Sequence, residues 1–383
     1  MRGDRISSHN MAGIYIHIPF CRQACTYCNF HFTTSLRYKE ELVEAIATEA
    51  NQEKEYLQQQ LVHTIYFGGG TPSLLNATEL ERLIGTFKKQ FPVSADAEIT
   101  LEANPDDINH DILLAWKELG INRLSIGVQS FYEEELRWMN RAHNAEQALQ
   151  NLALARSVFD NITMDLIYGS PLLTDEMWQH NVNTALALDI PHLSCYALTV
   201  EEKTPLEKRI RQQQSLNVDD EKQSRQFLLL IQWLKEKGYE HYEVSNFAKP
   251  GFRSRHNSAY WKGEAYLGLG PSAHSYNGVE RRWNVANNAV YMRSVQEGRA
   301  ERGAETLSTS ERINETIMIS LRTQEGLDLT NIEQQFGKAE RKRLEKRLPK
   351  YVQLSWVQQS QNTYTLTDEG MLRADGVAAA LFV

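Results

Sequence analysis

What most constrains this chain is an alternation running from residue 13 to about residue 235. Six short runs rich in β-branched and aromatic residues are each followed by a longer amphipathic stretch. The runs are Gly13–Pro19, His63–Phe67, Glu98–Glu102, Arg123–Val128, Ile162–Tyr168 and His192–Ala197. Their composition and the turn residues around them predict strands. Helical periodicity covers Leu36–Leu61, Asn76–Gln90, Asp107–Leu119, Glu133–Met139, Ala145–Val158 and Glu176–Leu188. Strands separated by helices pair in parallel through crossover connections, so the fold class is α/β. Periodicity does not choose between a doubly wound open sheet and a partial barrel. Both build their sites at the C-terminal ends of the strands, where most of the unusual residues of this sequence fall.

Beyond Pro250 the pattern changes. Arg253–Tyr276 is rich in Gly, His and aromatic residues and predicts an ordered loop region. Thr309–Leu321 and Asn331–Leu348 predict helices, Val352–Val357 and Thr363–Leu366 a hairpin, and Ala374–Phe382 a last short helix. Helices followed by a hairpin suggest a small winged-helix-like module. The expected organisation is a disordered leader over 1–10, an α/β domain over 11–240, a connecting region over 241–300 and a C-terminal domain over 301–383. Met11 is a candidate start, because the first strand begins beside it.

Charge narrows the function classes. Forty-one basic against 49 acidic residues leave a formal charge of −8, which argues against a general nucleic-acid binder. The exception is the basic run Lys338–Lys350, read as a solvated helix face, with a membrane surface or acidic partner as the sharper alternative. No apolar run approaches the roughly 20 residues of a membrane helix, and the leader lacks the apolar core of a signal peptide. The expected location is the cytoplasm.

Three of the four cysteines lie within eight residues, as Cys21-x3-Cys25-x2-Cys28, just after the first strand. Clustered thiols in a reducing compartment point to metal. Thiolates select iron–sulfur clusters, zinc or Cu(I). Two occupants stay open at this point. One is a [4Fe-4S] cluster with three protein ligands and one iron free for an exogenous group. The other is zinc closed by His31 as a fourth ligand. Cys195, inside the sixth strand, reads as a buried inert thiol.

The triplet with Tyr27 before its last cysteine resembles the radical SAM superfamily, and the resemblance covers nearly the whole chain. Tyr15–Cys28 (YIHIPFCRQACTYC) and Gly68–Ser73 (GGGTPS) are similar to the branch holding the oxygen-independent coproporphyrinogen III oxidase and the HemW heme chaperones. Where the oxidase has a further cysteine, this chain has Phe30, as the chaperone branch does. Arg255–Trp261 (RHNSAYW) matches the HNxxYW element of that branch.

This resemblance implies a partial (β/α)6 barrel with a HemN_C-like winged-helix domain. It implies a [4Fe-4S] cluster on Cys21, Cys25 and Cys28, with S-adenosylmethionine (SAM) on the open iron. Around SAM it places Gly69, Gly70 and Thr71, then Glu102, Gln129, Arg141 and Asp165, with Tyr15, Tyr27 and Ala197 nearby. Each has a plainer reading as a tight turn, a cap or a paired polar group. Asp165 stands out because a buried carboxylate needs a donor or a cation. The resemblance makes His256 a heme-ligand candidate and His274 a weaker one; on the residues alone, either is a hydrogen-bonded loop histidine. The implied function is a heme chaperone that binds heme, cluster and SAM and delivers heme to respiratory membrane proteins, with turnover absent or limited to SAM cleavage. The alternative is the oxidase, which decarboxylates coproporphyrinogen III.

Overall fold

A computed structural model describes residues 11–298 and 301–383; the leader over 1–10 lies outside them. The six predicted strands form as β1 (Met11–Ile18), β2 (Leu61–Gly69), β3 (Val93–Ala103), β4 (Arg123–Gln129), β5 (Ile162–Tyr168) and β6 (His192–Ala197). They pair in parallel and in chain order. β1 and β6 are not paired with each other, so the sheet is a partial barrel rather than a closed one. Interior and helix-facing positions are filled by residues such as Ile14, Phe67, Leu101, Ile126 and Leu166, all inaccessible to solvent.

Further strands extend both edges, antiparallel except for β9, which pairs in parallel with β1. Beside β6 stand β7 (Glu240–Glu243) and β8 (Asn246–Ala248). Beyond β1 come β9 (Ala265–Leu269), β10 (His274–Tyr276), β11 (Glu280–Asn284) and β12 (Arg302–Thr306), giving one twelve-stranded sheet. The segment Arg253–Tyr276 is therefore not a loop. It holds a helix, Arg255–Trp261, then β9 and β10. Its glycines mask the strand pattern, and Gly268 shows why one is needed: an added Cβ would meet the His274 carbonyl oxygen at 1.9 Å.

Two helices are shorter than their periodicity predicts. The first spans Lys39–Gln52: Glu53 caps it, and the chain then runs through turns in which Gln58 and Gln59 take left-handed backbone angles. The third spans His110–Glu118, after Asn109 caps it by accepting from the Ile112 amide. In the C-terminal module, helices Thr309–Leu321, Leu329–Phe336 and Lys338–Arg347 accompany a three-stranded sheet. The hairpin strand starts at Val357 rather than Val352, since Pro349–Gln353 continues as helix. In the basic run, Arg341 pairs with Glu333 and Glu345, and Arg343 with Glu340, while Leu344 and Leu348 are buried. Among the described residues no helix is long and apolar enough to cross a membrane.

Candidate functional site

The cysteines occupy the loop that leaves β1 at the C-terminal end of the sheet. All three are half-buried. The loop is pinned by backbone bonds, Cys21 N donating to Thr33 O and Thr26 N to Met139 O. The next strands tie down two of the sulfurs. Thr71 Oγ1, after β2, donates to Cys21 Sγ at 3.5 Å. Arg141 Nη1, beyond β4, donates to Cys25 Sγ at 3.2 Å. Asn104, after β3, closes the ring: its Nδ2 donates to Thr71 Oγ1 at 3.2 Å and its Oδ1 accepts from Arg141 Nη2 at 2.6 Å. Sequence reading missed Asn104. The available signal was an amide immediately before Pro105, at the end of a strand already under suspicion for Glu102.

Electrostatics show what such a loop needs. Burial, with the neighbouring thiols, pushes the Cys21 thiol up to about 11, against the bond from Thr71. Burial raises Cys28 as well. Thiols held neutral in this way become thiolates when a cation joins them. A zinc site would gather its ligands within roughly 2.0–2.3 Å of a single centre. A cubane instead takes one thiolate per iron and spreads them. His31, the fourth zinc ligand considered, turns its Nε2 to Asn288 Oδ1 at 2.7 Å. The donor set therefore fits a cluster with one iron unligated by protein.

The polar strand ends do converge. Gln129 closes β4 with φ +74°, a left-handed angle that costs a non-glycine residue energy and is common where side chains are aimed at ligands. A Cβ on Gly127 would lie 3.0 Å from Gln129 Nε2 and 3.4 Å from Arg141 Nη2, so the bare glycine leaves room for both. Glu102 accepts from Tyr66 Oη at 2.8 Å and from the Gly69 amide at 3.2 Å. Burial pushes its pKa up to about 7. Asp165 lies two strands away, on β5, where it accepts from Ser125 Oγ of β4 at 3.4 Å, and burial raises its pKa to about 6. Both carboxylates line an enclosed polar cavity of about 40 Å3 in the barrel interior, with Arg123 and Tyr196.

The glycine run serves the loop as much as any ligand. Gly69 has φ +106°, and a Cβ there would meet the His17 ring at 2.6 Å. One on Gly70 would meet the carbonyl oxygens of Ile18 and Phe20 at 2.7 Å, so only glycine lets β2 pass under the start of the cysteine loop. Tyr15 points into the barrel, stacked at 6.1 Å on Tyr66. Tyr27 packs against the buried cluster of Met139, Ile167, Leu198 and Leu206. Ala197 ends β6 opposite Tyr168. Cys195 is buried, as expected.

His256 is not brought to this site. Its helix lies against the starts of β1 and β2, where Nδ1 meets Thr64 Oγ1 at 2.8 Å and Nε2 meets Tyr260 Oη at 2.9 Å. It is 2% exposed, and burial drives its pKa down to about 3. With both nitrogens engaged it presents no free ligand in this conformation. His274 is exposed on β10, against Trp283.

Comparison with known proteins agrees with this geometry. The Radical SAM superfamily model matches residues 15–185 and the HemN C-terminal domain model residues 307–373. The solved coproporphyrinogen III oxidase (HemN) of Escherichia coli, described as a radical SAM enzyme, aligns with a TM-score of 0.84 at 25% identity, covering 98% of this chain and 91% of that one. Fold, site and match together define a radical SAM protein. The heme chaperone HemW of Bacillus subtilis is 32% identical over 97% of this chain and 99% of its own. HemW of Escherichia coli is 37% identical over 68% of this chain and 69% of its own. The chain belongs to the HemW heme chaperone family.

Proposed function

We propose that this chain is a heme chaperone that carries a [4Fe-4S] cluster on Cys21, Cys25 and Cys28, binds SAM beside it, and passes heme to respiratory membrane proteins. The observation that carries the cluster part is the ring Cys21–Thr71–Asn104–Arg141–Cys25. It fixes the thiol loop to three strand ends, as a preorganised cofactor site requires. When bound, the cluster supplies one electron to the C5′–S bond of SAM. The chain's own residues do the rest. Arg141 offers positive charge and N–H donors beside Cys25. Gln129 is pre-aimed by its left-handed backbone toward the same space. Glu102 and Asp165 offer carboxylates to hydroxyl or amino groups of the nucleoside, and the half-buried loop limits water. The relatives named for heme support heme as cargo.

Anaerobic reconstitution with iron and sulfide, followed by SAM addition, tests the cluster and SAM. A broad visible absorbance that changes with SAM is expected; no iron–sulfur signal would end the proposal. Saturable uptake of hemin tests the cargo. The likeness to the oxidase favours one further assay, incubation of the reduced protein with coproporphyrinogen III. Phe30, 66% exposed, stands where the oxidase has its extra cysteine, so no protoporphyrinogen IX is expected.

A further inference from the structure

The barrel interior holds a charge that the site described above does not use. Arg123, which opens β4, is 1% exposed. Its guanidinium donates to Asn161 Oδ1, to Thr163 Oγ1 and, at 3.4 Å, to the Phe252 carbonyl. These partners are all neutral oxygens. A buried charge without a counter-charge is expensive. The candidate counter-charges stand across the polar cavity of about 40 Å3, whose wall includes Arg123, Glu102 and Asp165.

Hydroxyls of Ser125, Thr163 and Ser194 complete that wall. A water needs roughly 10–15 Å3 of such space, so the cavity has room for a few. Thr100 Oγ1 and His192 Nδ1 are buried without a protein partner. By the two-residue period of a strand they share faces with Glu102 and Ser194, which line the cavity. Water is the usual partner of such atoms.

Burial raises the pKa of Asp165; the hydroxyls of Ser194 and Ser125 and the charges of Arg123 and Arg141 act against it. Arg141 is engaged with Cys25 Sγ, Asn104 Oδ1 and the Gly127 carbonyl. Glu102 is raised by burial and further by the Asp165 charge. Tyr66, Cys195 and Tyr196 also face Asp165, and burial keeps each of them neutral. Arg123 is the cation left to favour the ionised form of Asp165.

We propose that Arg123 is a positioning residue for the nucleoside of SAM: through water in this cavity it holds Asp165 as a carboxylate, set to accept from a hydroxyl or amino group. The inference rests on the SAM reading above and adds what keeps that acceptor charged.

Equilibrium dialysis of SAM against the cluster-loaded full chain between pH 5 and 8 tests it, with iron content checked at each pH. Wild-type affinity is expected to fall as pH drops through about 6, where Asp165 takes up its proton. Asp165→Asn should abolish that inflection. Arg123→Gln keeps a donor for Asn161 and Thr163 but removes the charge, and should move the midpoint up by about one pH unit. Arg123→Lys should bring it back. An unmoved midpoint in Arg123→Gln overturns the role of Arg123. So does a wild-type affinity that is flat over this range, or an inflection that survives Asp165→Asn, and neither needs an Arg123 variant to fold. A cluster-loaded wild type that binds no SAM at any pH removes the SAM reading itself.

Discussion

The two ends of the sheet solve opposite problems with similar residues. At the C-terminal end, three thiols sit half-exposed, and two of them, Cys21 and Cys25, are linked by Thr71, Asn104 and Arg141. At the N-terminal end of β1 and β2, His256 is buried and bonded on both nitrogens. One end keeps donor atoms under-coordinated inside a rigid frame; the other spends a potential ligand on closing the barrel. The difference teaches that residue type does not identify a site. Whether the donor atoms are already satisfied does.

Replacement of all three cysteines by alanine should break the comparison most completely. Cluster content is expected to fall to zero by iron analysis, with secondary structure by circular dichroism retained, because the thiols contribute little to the core. His256→Ala should do the reverse. It leaves Thr64 and Tyr260 without their partner and opens a buried hole, costing about 2–4 kcal/mol by urea denaturation, with cluster content per folded molecule unchanged. Loss of the cluster in that variant would show that the two ends are coupled.

Arg141→Met should fall between them. Asn104 Oδ1 and the Gly127 carbonyl lose a donor at 2.6 Å each, which costs about 1–3 kcal/mol. Cluster retention against a chelator should shorten severalfold. Equal retention would remove Arg141 from the site.

The smallest effect is a pH slope. Glu49 is buried between the first helix and the β9–β11 edge, accepting from the Gly270 amide, Asn284 Nδ2 and Tyr291 Oη. Burial raises its pKa from 4.5 to about 7. The folded state therefore holds this proton more tightly than the unfolded chain. Its contribution is fully present below about pH 4.5 and is lost as pH rises through 7. Glu49→Gln should flatten the fall in urea midpoint between pH 5 and 8 relative to wild type; an unchanged slope would assign the fall to the other buried carboxylates, Glu102, Asp165 and Glu243, instead.

Much of this was legible in the residues. β1 to β6 were readable because a parallel strand buried on both faces is a short continuous apolar run, whatever its neighbours are. The cysteine spacing was equally local. Gln129 and Arg141 were named singly, but no periodicity shows that Gly127 leaves space for both. Asn104 escaped because its place before Pro105 marks a strand end but not the partners that its amide bridges. β9 and β10 were hidden by glycines whose need comes from a neighbouring strand, as at Gly268.

By itself the sequence determined a parallel α/β core, a thiol triplet at the end of its first strand, and a net negative charge. Each follows from interactions between residues near in the chain, or from composition. Only the tertiary structure decided that both ring nitrogens of His256 are spent. That outcome depends on Thr64 meeting the ring across about 190 residues of chain, with Tyr260 one turn along the same helix, and hydrogen-bond satisfaction is a property of the folded neighbourhood rather than of the residue.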